Sequence, residues 1–238
     1  MKIMKEIEII DICLYLKEAN ILILADTHIG YEEALNKQGI LIPRFMFKDV
    51  IKKLDPVFHK TGKVDKIIIN GDVKHEFGSI SEQEWRRTLQ LLDYLGKYCN
   101  EILLIKGNHD KILGPIAKKR NVKIVENYKV NGILVIHGDK LADKETLKGI
   151  KTIIIGHEHP AISIKEEPRT EVFKCFLKGK FQRKNLIVQP SFNLVTEGTN
   201  IIKGKVLSPF LKHDLSNFEV FIVGDKVYDF GKLKKLKD

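Results

Sequence analysis

The stretch GHEHP, residues 156–160, places two histidines one residue apart directly after a run of apolar residues. Imidazoles bind metals and donate or accept protons, so a pair of them at the end of a buried strand needs an explanation. A turn that happens to contain histidine is one explanation, and a metal site is the other. The remaining histidines of the chain decide between the two.

Six of the eight histidines lie within a few residues of the C-terminal end of a predicted strand, and only His59 and His213 lie elsewhere. The segments at these strand ends are ADTH (25–28), NGDVKH (70–75), KGNHD (106–110), IHGD (136–139) and GHEH (156–159). In open α/β sheets, ligands bind outside the carboxyl ends of the strands. One such segment is usually an ordinary turn, but five of them together predict a metal site at a shared edge.

The donors in these segments are imidazoles, carboxylates and an amide, with no thiolate. This set is unlike a structural zinc site and suits Mn²⁺ first, with Fe²⁺, Ni²⁺ or Zn²⁺ as alternatives. One ion cannot use so many donors, so we expect two divalent metal ions that share a carboxylate. Two ions about 3.5–4 Å apart suit the in-line displacement of a phosphoester. The candidate residues are Asp26, His28, Asp72, His75, Asn108, His109, Asp110, His137, His157 and His159.

GHEHP can serve such a site if its imidazoles alternate on an extended segment. His157 and His159 would then each reach one of the two ions, and Glu158 would point away from them. Four of the five segments also contain a glycine beside the polar group, and glycine permits the positive φ of a sharp turn. These glycines are Gly71, Gly107, Gly138 and Gly156.

The elements that must position these residues alternate along the first two-thirds of the chain. Short apolar runs predict strands, and longer stretches with apolar spacing near 3.6 predict helices between them. The predicted strands are 20–26, 66–71, 101–107, 132–138 and 151–156. The predicted helices are 44–59, 81–98 with the capping pair Ser81 and Glu84, and the shorter 141–149. This alternation is typical of an α/β sheet.

After residue 160 the helical pattern stops, and the chain reads as strands and hairpins. The predicted strands are 161–166, 171–179, 185–192, 200–207 and 218–231, the last with a Gly-Asp turn. They predict a second, largely antiparallel sheet, and the simplest α/β arrangement stacks the two sheets face to face with helices outside. We expect a single domain over 1–238, in which 1–160 carries the motifs and 161–238 completes the second sheet.

Composition argues against several classes of protein. No apolar run reaches the roughly 20 residues that span a bilayer, so we expect no membrane partner. The start, MKIMKEIEII, contains acids and no cleavage site, unlike a signal peptide. The widely spaced Cys13, Cys99 and Cys175 fit a reducing cytoplasm rather than a disulfide scaffold. The formal net charge of +10 favours a polyanionic partner such as nucleic acid, although solvated lysine-rich faces give the same excess.

The motifs DTH, GDVKH, GNHD, HG and GHEH, in this order over residues 25–160, resemble those of the calcineurin-like metallophosphoesterase superfamily. The extension GDVKHEFG and the short β-rich C-terminal part look most like the ICC-like phosphoesterases, which include the ligase-associated DNA-damage-response type. The resemblance implies a four-layer αββα sandwich with two mixed sheets, which agrees with the two-sheet arrangement predicted from the pattern.

The same resemblance implies how the donors are shared. The first ion would be held by Asp26, His28, Asp72 and His159, and the second by Asp72, Asn108, His137 and His157, with Asp72 bridging. A hydroxide between the ions would attack phosphorus in line. His109 would be the general acid or would donate to the transition-state oxygens, and Asp110 would orient its imidazole.

Two further residues have open roles. A histidine at position 75 resembles the double-strand-break repair nucleases, in which it assists chemistry on DNA; alternatively, His75 only supports the ligands. Arg44 follows GILIP after the first metal segment and could bind a substrate phosphate, or it could cap a helix or form an ion pair.

The leading hypothesis for function is a dinuclear-metal phosphodiesterase acting on nucleic acid as a nuclease, for instance in DNA repair. The alternative is a phosphodiesterase or phosphatase for a small substrate such as a cyclic nucleotide, a nucleotide or a phosphomonoester. A third reading is a scaffold that has lost its metals, and the intact ligand set argues against it. An open basic groove beside the metals would favour nucleic acid, and a closed pocket would favour a small substrate.

The apolar C-terminal strands could also form a homo-oligomer surface.

Overall fold

The computed structural model describes residues 1–43, 46–77, 80–203 and 205–236, and its main feature is a pair of stacked β-sheets. The strands of the first sheet lie side by side in chain order. Within the described residues they are β1 (Lys2–Met4), β2 (Ile7–Ile10), β3 (Cys13–Leu16), β4 (Ile21–Ala25), β5 (Val64–Asn70), β6 (Cys99–Ile105) and β7 (Lys123–Val125). The strands from β4 to β7 are parallel, and β1 to β4 form an antiparallel meander.

The helices lie in the connections between the parallel strands of the first sheet. They are α1 (Tyr31–Lys37), α2 (Met46–Thr61), α3 (Glu82–Leu95) and α4 (Gly114–Lys119). The predicted capping box of α3 is confirmed, because the Ser81 side chain accepts from the Glu84 backbone N–H and the Glu84 side chain accepts from the Ser81 backbone N–H. The predicted helix over 44–59 corresponds to α2, although Arg44 itself lies outside the described residues.

The second sheet is built mainly from the C-terminal part of the chain. The part of the chain that the structure describes contributes β8 (Asn127–Val130), β9 (Ile133–Ile136), β10 (Thr152–Ile155), β11 (Pro160–Glu166), β12 (Arg169–Phe181), β13 (Lys184–Val188), β14 (Thr199–Asn200), β15 (Glu219–Val223) and β16 (Val227–Lys232). Five of the eight strand pairings among these residues are antiparallel, as predicted. The parallel pairings of β10 with β9 and β13 align the strands that precede two of the histidine segments.

Three apolar clusters hold the layers together. Side chains from both sheets, such as Ile68 and Ile154, fill the space between them. The outer face of the first sheet packs against α2, α3 and α4. The outer face of the second sheet is covered, within the described ranges, by irregular chain and two 3₁₀ turns, Pro209–Leu211 and Leu233–Leu236. The predicted pair of stacked mixed sheets flanked by helices is confirmed, with the helical layer much thinner on the second sheet.

Two of the predicted elements are wrong. Residues 141–149 form turns rather than a helix, since Asp143 caps the Thr146 N–H and a single i→i−4 bond, from Leu147 N to Asp143 O, forms there. So short a segment is marginal as a helix without a well-packed apolar face. The predicted strand 200–207 ends at Asn200, whose side chain accepts from the Ile202 N–H and turns the chain away.

Two other features of the sheets were not predicted in full. The predicted strand 185–192 ends at Val188, before Pro190, which has no N–H to continue the ladder. The antiparallel strands β1 to β3 at the start of the chain were not recognised. In the described residues, no helix combines the length and the apolar character that crossing a membrane requires.

Candidate metal centre

The register of the first sheet brings three of the predicted segments to one edge. Ala25, Asn70 and Ile105 are paired across the parallel strands β4, β5 and β6, so the chain leaves the sheet at the same level in each case. Beyond the strands, the first two loops stay paired, because His28 N donates to Asp72 O at 2.9 Å. The carboxyl ends of these strands therefore deliver side chains to a common site, as the sequence predicted.

Three groups of side chains with metal-binding atoms meet at this edge: one consists of His28, His75 and His109, and the other two contain a carboxylate each. Asp26, His28 and His159 each offer one ligand atom, and these atoms all lie within 4.8 Å of one another. The same holds for Asp72, His137 and His157. His157 and His159 thus join different groups, which matches the expectation from the GHEHP stretch.

Asp72 belongs to the group with His137 and His157, and it also faces the group of Asp26, His28 and His159. Its Oδ2 is 3.8 Å from His28 Nε2 and 3.5 Å from His137 Nε2. His137 Nε2 also lies 3.0 Å from Asn108 Oδ1. One carboxylate oxygen of Asp72 therefore faces an imidazole of each group.

Both carboxylates of the centre are oriented by the backbone. Asp26 Oδ2 accepts from the His157 N–H at 3.0 Å, and Asp72 Oδ1 accepts from the His109 N–H at 2.9 Å. In each residue one oxygen is occupied by a backbone amide, and the other oxygen faces the imidazoles. The free oxygens are thus fixed in place before any ligand arrives.

The unpaired atoms of the centre fit metal ions. Asp26 Oδ1 and His137 Nδ1 are buried 3.5 Å apart, and neither has a hydrogen-bond partner. Leaving such a group buried and unpaired costs about 1–3 kcal/mol. Asp26 Oδ1 also lies 3.5 Å from His159 Nε2 of its own group, and donor atoms that bind one ion at about 2.1 Å lie roughly 3–3.5 Å from each other. The residues therefore fit divalent cations.

The pKa values of the side chains in the centre are shifted by burial and by the neighbouring charges. Burial alone would lower the pKa of His137, but the Asp72 carboxylate 3.5 Å away and the negative charge of Asp26 raise it to about 9. Burial opposes ionisation of Asp72, yet His137 holds the pKa of that carboxyl below its usual range. Burial and the neighbouring His159 lower the pKa of His28 well below its usual value. The carboxylates of Asp72 and Asp26 thus favour a positive charge at this position.

Strained backbone is concentrated in the same residues. Ten residues other than glycine have a positive φ in the described part of the chain, and five of these are predicted ligands. The five are Asp26, His28, Asp72, His157 and His159. Left-handed conformations are costly for such residues and cluster at functional sites. The expectation of an extended segment at 157–159 is therefore wrong, because both histidines adopt left-handed turns.

Gly107 shows how closely the segments approach one another. A Cβ on Gly107 would overlap the Asp72 carboxylate and its backbone nitrogen. A glycine is required at this position because the chain after β6 passes directly over the ligand at the end of β5. Glu158 faces away from the centre as expected, since its Oε2 accepts from the Leu207 and Ser208 N–H groups at 2.8 Å.

His109 stands beside the two groups with its ring held by the backbone. Its Nδ1 bonds to the carbonyl of His75, and its Nε2 lies 3.9 Å from Asp72 Oδ2. Asp110 was predicted to orient this ring, but its two oxygens accept from the Val73 and Gly107 N–H groups at 3.0 Å. In this structure Asp110 thus shapes the two loops, and the His75 carbonyl contacts the His109 ring.

His75 lies at the outer side of the cluster. Its Nδ1 is 3.4 Å from His28 Nδ1, and its ring contacts that of Tyr31 with centroids 4.3 Å apart. Burial, with the positive charge of His109 as a further contribution, lowers the pKa of His75 to about 4. The structure thus places every predicted site residue at this edge except Arg44, which lies outside the described residues.

A comparison with protein families decides how this site is to be understood. The model of the calcineurin-like phosphoesterases matches residues 19–178, which include all five histidine segments. The chain belongs to this family. The calcineurin-like phosphoesterase described here is accordingly a metal-dependent phosphoester hydrolase, with the clustered histidines and aspartates as its metal-binding candidates.

Two solved structures resemble this calcineurin-like phosphoesterase to different degrees. Nuclease MPE from Pseudomonas putida superposes with a TM-score of 0.63 at 20% identity, over 92% of this chain and 91% of that chain. YfcE, a phosphoesterase from E. coli, gives a TM-score of 0.44 at 11% identity, over 90% of this chain and 97% of that chain. No curated protein matches the sequence. At such identities, the likeness to nuclease MPE shows a common fold.

Some residues that build the calcineurin-like site were not recognised from the sequence. Glu84 accepts from the His75 and Glu76 N–H groups at 3.1 and 2.8 Å, in addition to its part in the capping box of α3. Ser191 Oγ, in the chain that follows β13, donates to Asp26 O at 2.7 Å. The capping pattern located Glu84, but its contact with the His75 loop depends on tertiary packing that no local pattern reports.

Proposed function

We propose that this calcineurin-like phosphoesterase hydrolyses phosphodiester bonds of nucleic acid at a centre of two divalent metal ions. The observation that supports it best is the position of Asp72, whose Oδ2 faces His28 of one group and His137 of the other. A single carboxylate between two ligand groups is the arrangement that a two-ion site requires.

Each proposed ion has a defined set of ligands. The first would be held by Asp26, His28, His159 and Asp72, and the second by Asp72, Asn108, His137 and His157. Since these donors are imidazoles, carboxylates and one amide oxygen, we propose Mn²⁺ as the first choice of metal. When bound, the two ions supply Lewis-acid activation of water and neutralise charge on the phosphate oxygens.

His109 is proposed to supply the proton for the reaction. Its Nδ1 donates to the His75 carbonyl, so the protonated ring presents Nε2–H on the side of Asp72. From there it can donate to a phosphate oxygen or to the leaving group. The carbonyl of His75 fixes the orientation of the ring, and the His75 side chain is proposed to support His28.

The surface beside the second ligand group favours nucleic acid. A groove of about 380 Å³ begins at Asn108 and His137, and its lining includes three exposed lysines and three acids, Glu126, Asp139 and Asp143. Lys106, Lys111 and Lys140 lie along it, and Lys111 forms no ion pair within the described residues. The formal net charge of +10 acts in the same direction. A protein of the same fold, nuclease MPE, is named as a nuclease.

One observation favours a small phosphodiester instead. Two of the groove lysines face acids, with Lys106 3.6 Å from Glu126 and Lys140 3.9 Å from Asp139. These pairs reduce the charge available to a polyanion, so a small substrate is the second candidate. Exposed ion pairs of this kind are weak and open readily for a stronger anionic ligand.

Hydrolysis assays on metal-stripped protein resupplied with Mn²⁺ test the proposal. The substrates are single- and double-stranded DNA, bis-p-nitrophenyl phosphate and p-nitrophenyl phosphate, with Asp72→Asn as the inactive control. We expect the wild-type protein to cleave the diester and DNA. Turnover of the small esters with intact DNA would select the second candidate, and no turnover of any substrate would contradict both.

A further inference from the structure

Phe77 is a largely exposed aromatic residue beside the proposed centre. It is 60% exposed, although it follows His75 by only two residues in the loop after β5. Its ring lies on that of His109, with centroids 3.5 Å apart and 33° between the planes. Core packing does not account for this position, since most of the residue is accessible. An exposed aromatic ring beside the centre offers a π-face on which a base can stack.

The His109 ring, which the Phe77 ring contacts, has one nitrogen on the side of the candidate metal ligands. His109 Nε2 lies 3.9 Å from Asp72 Oδ2, and the opposite nitrogen is held by the His75 carbonyl. In the proposed reaction His109 donates to an ester oxygen, so a phosphodiester at the centre would present one ester oxygen to His109. The nucleoside bonded to that oxygen must extend outward past His109, where the exposed Phe77 ring lies.

We propose that Phe77 is a stacking site for the nucleobase attached to the scissile phosphate on the His109 side. This inference rests on the proposed function, and it adds the recognition of a planar base to the cleavage of the diester. Stacking on an aromatic ring is tolerant of sequence, because every base has a π-face. Bases in a duplex are already stacked, so the site favours single-stranded or unpaired nucleotides.

Two variants of Phe77 separate stacking from simple support of His109. Phe77→Tyr keeps the flat ring, whereas Phe77→Leu keeps an apolar contact with His109 and removes the π-face. The substrates are dithymidine monophosphate, which has one internal diester, and two analogues in which either base is replaced by an abasic tetrahydrofuran unit. The measured quantity is kcat/KM of the Mn²⁺-loaded protein for each substrate.

The stacking site predicts a loss that depends on the base. Phe77→Leu is expected to lower kcat/KM for the dinucleotide by about ten-fold, and to lower it much less for the analogue that lacks the stacked base. Phe77→Tyr is expected to stay within about two-fold of wild type, because its ring still stacks. An equal loss on all three substrates, or no loss on any, would overturn the inference.

The outcome also distinguishes this inference from the proposed function. If the wild-type protein with bound Mn²⁺ hydrolyses none of the three diesters, the proposed function is contradicted and the inference falls with it. If the wild-type protein hydrolyses them and Phe77→Leu shows no dependence on the base, only the stacking site is contradicted.

Discussion

Asp26 and Asp72 each bind a backbone amide through one oxygen and direct the other toward imidazoles. The inward oxygen of Asp26 has no hydrogen-bond partner at all. A carboxylate that is already oriented loses little freedom when a cation arrives, so its affinity for the cation is higher. The geometry of single side chains thus explains why metal ions are needed here and where they would bind.

The role of His109 can be separated from metal binding. His109→Gln is expected to lower the turnover of a phosphodiester by about 10²–10⁴-fold, because a proton donor beside the phosphate is lost. Metal content should remain that of the wild type, since Asn108 rather than His109 is the proposed ligand. Kinetic assays together with metal analysis of the purified protein check both statements.

His213→Gln is the matched control for this variant. His213 is exposed and contacts the carbonyl of Lys180, which belongs to the second sheet and not to the centre. Its replacement should leave turnover unchanged. A His109→Gln protein that keeps full turnover, or that loses its metal ions, would contradict the proposed role.

At the scale of the elements, parallel register gathers the site. Pairing of Ala25 with Asn70 and of Asn70 with Ile105 places the segments that follow at one level. The segments then turn sharply through left-handed residues, so that side chains from neighbouring strands meet. The strain in these turns is offset by the sheet hydrogen bonds that hold the strand ends in place.

The close approach of two strand-end segments makes Gly107 sensitive to substitution. Gly107→Ala is expected to displace Asp72 and to weaken metal binding by about 10–100-fold, as loss of a ligand-orienting contact does. Gly114→Ala, at the start of α4, is the matched control, since an added Cβ there meets nothing within 4 Å. Metal titration and thermal unfolding of both variants give the comparison. Equal metal affinity in the two variants would show that the Gly107 contact has no bearing on the centre.

At the scale of the whole molecule, the second sheet supports the first metal segment. The chain after β13 crosses to the first sheet, where Phe192 N donates to Ala25 O at 2.7 Å and Ser191 Oγ donates to Asp26 O. Further along the same loop, the carbonyls of Thr196 and Glu197 accept from Lys174 Nζ of β12 at 2.6 and 3.3 Å. Stability of the loop at 189–197 and geometry of the centre are therefore linked.

Lys174 should make the stability of the protein depend on pH. Burial lowers its pKa to about 8, so between about pH 8 and pH 10.5 the unfolded chain binds more protons than the folded one. The contribution of Lys174 to the free energy of unfolding is therefore expected to increase with pH through this window, by roughly 1–3 kcal/mol.

Urea unfolding of the wild type and of Lys174→Met at pH 7, 8, 9 and 10 measures this contribution. The difference in unfolding free energy, wild type minus variant, should increase with pH because methionine does not titrate. A difference that is constant or decreases over this range would show that burial does not lower the pKa of Lys174.

Much of this organisation could be predicted from the sequence, because the signals are local. Continuous apolar runs indicated the strands β4, β5, β6 and β10, and the polar residues directly after these runs indicated the site. Contacts between distant segments could not be predicted. Glu158 accepts from the Leu207 and Ser208 N–H groups, and no short-range pattern shows that these residues lie beside it. The same holds for the short edge strands β7 and β8 and for the stacking of Phe77 on His109.

The measurement that tests the central proposal most directly is a metal titration in which binding and turnover are followed together. Mn²⁺ is added stepwise to metal-stripped protein, and bound metal and hydrolysis of bis-p-nitrophenyl phosphate are measured in the same samples. We expect about two Mn²⁺ per chain, turnover that rises as the second ion binds, and an inactive Asp72→Asn variant that binds fewer ions. Full turnover with one ion per chain, or two bound ions without turnover of any phosphoester, would contradict the two-ion phosphodiesterase.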